Sequence, residues 1–148
     1  MTGVQTCALP IYTVSHNLIL PPGYTVVAVP GTTIVLTSGA LIYSHSPLKF
    51  IGTIEEPVLI TSSDKTGQGL AVINAKGQSY LEHVKFTNLR NPNQLGWSIP
   101  GAVTFYESPV NMSSVTVHNN RSEDAINIIR SHFYINDLNI VDAYSDAL

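Results

Sequence analysis

Asp124 and Asp146 are the residues of this chain whose types and spacing best suit chemistry. Each opens an Asp-Ala dipeptide, 22 residues apart, with Arg121, Glu123 and Asp142 close by in sequence. If the chain winds so that these positions fall on neighbouring turns, the carboxylates stack. Stacked hard oxygen ligands from Asp124, Asp142 and Asp146 could hold Ca²⁺. Asp124 and Asp146 could instead form the carboxylate pair of a glycoside hydrolase, whose separation sets the stereochemical outcome. Arg121, or Arg130, could hold an acidic sugar through its planar guanidinium fork. The plainer expectation is that Asp124 shapes a turn, because Asp readily accepts backbone N–H bonds where a chain bends, and the position one repeat earlier is Gly101. Trp97, the single tryptophan, sits in a long loop and could stack on a sugar ring; alternatively it folds back over apolar surface. The five histidines show no metal-ligand spacing, and no cofactor is evident.

The elements that must position these residues repeat. Gly101–Asn120 and Asp124–Ala143 align at an offset of 23 with no internal gap. The offset pairs Ala102 with Ala125, Val103 with Ile126, Phe105 with Ile128 and Ser108 with Ser131. It also pairs Val110 with Phe133, Met112 with Ile135, Val115 with Leu138 and Val117 with Ile140. Backwards, an offset of 31 pairs His83–Asn88 with Ser114–Asn119 and aligns Ala71-Val72 with Ala102-Val103. The eight extra residues fall in a loop between Phe86 and Ala102. Each copy holds three apolar pairs spaced i, i+2 (Val103/Phe105, Val110/Met112, Val115/Val117), the period of a strand with one buried face. Three short strands repeating every 22–23 residues predict an all-β, right-handed, single-stranded parallel β-helix, a solenoid with about 4.8 Å between coils. Asn-Gly and Asp-Gly hairpin signals are absent, which disfavours an antiparallel sandwich.

Composition agrees and excludes other classes. Charged residues are 11% of the 148, and net charge is −3 with no basic run, so nucleic-acid binding is not expected. No run of 18 apolar residues spans a membrane. Thr2–Ile11 resembles translated read-through of a common sequencing-library adapter, and it fits neither strand nor helix periodicity. Residues 1–11 are therefore set apart as artefactual, and 12–148 are read as a β-helix fragment. On that reading Cys7 is no candidate nucleophile, and the lack of a signal peptide carries no weight. The chain breaks off inside a third repeat at Asp146–Leu148, so the rest of its own chain is expected to cap both ends.

Pro22-Gly23, Pro30-Gly31, Gly52-Thr53 and Pro57–Ser62, with Ser122–Ala125 and Tyr144–Ala147, resemble the coils of bacterial secreted or surface β-helix proteins in the broad pectate-lyase-like group. The resemblance covers nearly everything after residue 12 and implies fold more than activity. It implies an extracellular or cell-surface protein with polysaccharide or surface glycan as partner. The expected role is structural or carbohydrate-binding. The alternative is a polysaccharide lyase or glycoside hydrolase acting on acidic polysaccharide, with Asp124, Asp146 and Arg121 in the site.

Overall fold

A computed structural model describes residues 9–94 and 96–148; most of the segment set apart, Cys7 included, lies outside the described residues. Its β-propensity is realised throughout: the described chain holds strands and no helix. They are β1 (Ile11–Val14), β2 (Leu18–Leu20), β3 (Val26–Ala28), β4 (Thr33–Leu36), β5 (Ile42–Ser44), β6 (Leu48–Ile51), β7 (Val58–Thr61) and β8 (Leu70–Ile73). They continue as β9 (Ser79–Thr87), β10 (Asn93–Gln94), β11 (Trp97–Ser98), β12 (Gly101–Tyr106), β13 (Val110–His118), β14 (Asp124–Ile129) and β15 (Phe133–Val141). No described helix is long and apolar enough to cross a membrane.

Every ladder but one is parallel and joins a strand to its counterpart in the next repeat. One sheet runs β2-β5-β8-β12-β14, and the other runs β1-β4-β7-β9-β13-β15, with β3 and β6 joining it through β9. The first half of β9 pairs with β6 (Phe50↔Leu81) and the second half with β7 (Ile60↔Phe86). Each repeat therefore contributes three strand segments. The second and third are separate in the early repeats and fuse into one nine-residue strand from β9 onward.

The fusion depends on one residue per strand. Met112 and Val115 are both buried although they are three residues apart, a step that would normally point them to opposite faces. Ser114 absorbs the extra residue by taking φ 53°, as do His83 at 48° and Asp137 at 62° in the neighbouring repeats. The ladder skips these positions and resumes in phase, much as a bulge does. Two further left-handed columns turn the other corners: Asn74, Glu107 and Arg130, then Asn88, Asn119 and Asp142. Asn and Asp tolerate this region better than other residues with a side chain. Asp124 is in none of these columns. It is the first residue of β14, opposite Gly101, so the expected turn role falls to Asp142 instead.

Six of the eight pairs expected at offset 23 are Cα partners, Val103↔Ile126 and Val117↔Ile140 among them; Ala102 and Ala125 lie on the same two strands but are skipped by the ladder, and Ser108 and Ser131 lie in the turns that follow. The offset of 31 holds for β9 and β13. It fails for Ala71-Val72, which pair with Thr104 and Phe105, an offset of 33. The turn of five residues after β8 (74–78) is two longer than the turn of three after β12 (107–109). An even slip keeps the same residues pointing inward, so alternation alone cannot detect it.

The inward columns make a continuous apolar interior: Leu36, Leu48, Phe50, Ile60, Leu70, Leu81, Phe86, Phe105 and Met112 are all buried. Serines line one corner inside it. Ser79 Oγ accepts from Leu48 N (3.0 Å), Ser108 Oγ from Ala75 N (2.9 Å) and Ser131 Oγ from Ser108 N (2.8 Å), tying each repeat to the next. At β15 the interior opens: Ile135, Leu138 and Ile140 are only partly buried and Phe133 is 58% exposed.

Candidate functional site

The enlarged loop between β9 and β12 folds into the antiparallel hairpin β10–β11 and lies back over earlier repeats. Gly96 takes φ 85° at its tip, a conformation open to glycine at little cost. Polar side chains strap the hairpin down. Asn93 N donates to Gln68 Oε1 (2.9 Å), and Gln94 Nε2 donates to Gly39 O (3.2 Å). Gln94 and Asn17, 77 residues apart, pair amide to amide: Asn17 Nδ2 donates to Gln94 Oε1 (2.5 Å) and Gln94 Nε2 to Asn17 Oδ1 (3.1 Å). Asn17 Oδ1 also accepts from Leu41 N (3.1 Å), which fixes the amide against β5.

This strap sets Trp97 edge-on to Tyr43, with ring centroids 6.1 Å apart and planes at 62°. Tyr43 in turn meets His45 at 5.0 Å and 76°. Both arrangements are edge-to-face geometries that aromatic quadrupoles favour. A groove of about 230 Å³ lies beneath, lined by Asn17, Ile19, Leu41, Tyr43, Gln94 and Trp97. Trp97 folds back over the groove, one of the two arrangements expected of it. It covers part of the apolar surface yet stays 38% exposed, and Ile19 beside it is 65% exposed. An apolar floor with an amide rim suits a ring that has both C–H and O–H faces.

The acidic candidates divide. Asp124 and Asp146 do sit on neighbouring turns, joined by a parallel bridge, with Asp146 N donating to Glu123 O (2.8 Å) and Ala125 N to Asp146 O (3.0 Å). Asp124 Oδ2 accepts from Asn127 Nδ2 at 3.0 Å. Asp142 turns a different corner and faces His118, Oδ2 to Nε2 at 3.0 Å. Among the described residues no three His, Cys, Asp or Glu side chains converge as a metal site would need. Arg121 pairs through its backbone with Arg90 one repeat earlier, and its guanidinium lies 5.9 Å from the Tyr144 ring centroid. Arg130 faces Glu107 (3.6 Å) and the Tyr106 hydroxyl (3.5 Å).

A second groove of about 340 Å³ runs along the bend that bears His83, Ser114 and Asp137. These residue types invite comparison with a nucleophilic triad, but the order is wrong for one. Ser114 Oγ donates directly to Asp137 Oδ2 (2.8 Å), so no histidine stands between them as base.

Tyr43, Asn17 and Gln94 were not legible as site residues. Tyr43 carries the weak signal of an outward strand position; the Asn17–Gln94 pair carries none, because nothing local couples residues so far apart. No protein-family profile, curated protein or solved structure matches the chain.

Proposed function

We propose that the chain is a segment of a right-handed, single-stranded parallel β-helix of pectate-lyase-like type. On this reading it belongs to a secreted or cell-surface protein and binds carbohydrate on the outer surface beside the β10–β11 hairpin. The observation that carries the binding role is the partly exposed Trp97 held over Tyr43 and Ile19 by an amide strap. Rigid scaffolds commonly present binding groups on such loops. The long β9–β13–β15 ladders and inward columns support a passive, stiff scaffold.

The alternative, a lyase or hydrolase, draws on the stacked Asp124 and Asp146 with Arg121 nearby. One experiment separates the two. The chain is mixed with neutral and acidic oligosaccharides, and Trp97 fluorescence and product formation are followed together. Fluorescence change without cleavage is the expected result, with glycan binding measured by calorimetry lost in Trp97→Ala. Cleavage lost in Asp124→Ala would establish the enzyme instead, and no spectral change with any glycan would remove the binding role.

A further inference from the structure

On the far side of the same hairpin lies a cleft of about 370 Å³ lined by Gly39, Thr66, Gln68, Arg90, Asn91, Asn93 and Arg121. Apart from Gly39 and Thr66, whose hydroxyl donates to Asp64 Oδ1 (2.7 Å), every lining residue offers a side-chain N–H donor, and none is acidic. Arg90 and Arg121 occupy equivalent places in neighbouring repeats, and Lys65, the residue whose carbonyl accepts from Arg90 Nε at 2.7 Å, lies one repeat earlier still. Three of the chain's seven lysines and arginines thus share one corner of a molecule with net charge −3. Neither arginine has a carboxylate within ion-pair distance among the described residues; the pairs found are His118–Asp142 and Arg130–Glu107. Arg90 donates through Nε to the protein and the Arg121 guanidinium lies over the Tyr144 ring; among the described residues neither terminal fork has a hydrogen-bond partner.

We propose that this cleft binds a tetrahedral oxyanion, a sulfate or phosphate ester, carried on the sugar that the hairpin recognises. The proposal rests on the carbohydrate reading above. A carboxylate has two oxygens in one plane and is satisfied by a single guanidinium fork. Two guanidinium side chains from neighbouring repeats that line one cleft, with Asn and Gln donors around them, suit a group with three free oxygens.

The test is calorimetric titration of the chain with four probes: a sulfated oligosaccharide, its phosphorylated counterpart, an oligogalacturonate of equal charge, and inorganic sulfate. Either ester should bind at least tenfold more tightly than the oligogalacturonate. Arg90→Gln and Arg121→Gln should each remove most of that preference, while Lys49→Gln, a cation elsewhere on the surface, leaves it intact. Preference for one ester over the other identifies the source. Equal affinity for oligogalacturonate, or an equal loss in Lys49→Gln, would overturn the proposal. If a neutral oligosaccharide binds through Trp97 and an ester adds nothing, this proposal fails while the carbohydrate reading stands. If inorganic sulfate binds through both arginines but no glycan binds, the anion site stands and the carbohydrate reading fails.

Discussion

Replacing Asn17 with alanine should loosen the hairpin that carries Trp97 without unfolding the coils beneath it. The Asn17 amide donates once to Gln94 and accepts from Gln94 Nε2 and Leu41 N, so three hydrogen bonds go with it. A hydrogen bond is worth about 0.5–1.5 kcal/mol net, and these groups are near water, which replaces part of the loss. The total should be about 1–2 kcal/mol, or roughly a five- to thirty-fold shift from docked toward undocked hairpin at 1.4 kcal/mol per tenfold. Trp97 is the only tryptophan, so its emission reports this event alone. The Asn17→Ala protein should emit further to the red and be quenched more readily by acrylamide, and the Leu41 amide should exchange faster with solvent. Gln94→Ala should do the same, and the double variant should add little, because both changes remove one shared contact. Unchanged quenching in both single variants would refute the idea that the polar strap positions Trp97.

Other perturbations probe the scaffold and its pH dependence. Phe105→Ala empties a fully buried site between Val72 and Ile128 and should cost about 3–5 kcal/mol in urea unfolding, whereas Phe133→Ala, at a position 58% exposed, should cost less than about 1 kcal/mol. Gly69 has φ 76°, and a Cβ there would stand 2.0 Å from the Ala102 carbonyl oxygen; Gly69→Ala should therefore destabilise by about 2–4 kcal/mol, combining left-handed strain with a forced shift of the β8–β12 ladder. Asp64 accepts from Ser38 N (2.8 Å) and from the Thr66 hydroxyl (2.7 Å) and N (3.0 Å), and these bonds, Ser38 first, hold its carboxyl well below the usual carboxylate range. A pKa depressed on folding stabilises the protein above the unfolded value of about 4 and loses that contribution as pH falls further. Thermal midpoints of wild type and Asp64→Asn should accordingly converge as pH is lowered from 5 toward 2; a gap that stays constant would contradict the assignment.

The parallel repeat was readable where it is most regular. From Gly101 onward two copies keep identical turn lengths, so one offset aligns the inward residues, and six of the eight aligned pairs are Cα partners. Upstream, turn lengths vary by twos and eights, and the Ala71-Val72 register slipped unnoticed because the slip preserved parity. β6, the segment Leu48–Ile51, carries alternation too brief to stand out in a four-residue strand. The left-handed corners were legible only in part. Asn88 and Asn119 are residues that favour such corners, but His83, Ser114 and Glu107 are not, and there the stacked ladder imposes the conformation. The site was harder still. Trp97 announced itself as a lone aromatic in a long loop, while its partners Tyr43, Asn17 and Gln94 are ordinary residues gathered only by the hairpin folding back. Asp124, singled out by repetition, pairs with Asp146 through the backbone.

The register of neighbouring repeats is what holds the hairpin, the arginine column and the paired aspartates in place, and cross-linking measures it directly. Thr116 and Asn139 are Cα partners on β13 and β15, on the outward side of the ladder, at the spacing of a parallel pair that a disulfide can bridge. In a Cys7→Ser background, Thr116→Cys/Asn139→Cys should oxidise within one chain in high yield. Thr116→Cys/Asn136→Cys, displaced three residues along β15, should not. Equal yields in the two proteins, or cross-linking only in the displaced pair, would contradict the parallel in-register stack.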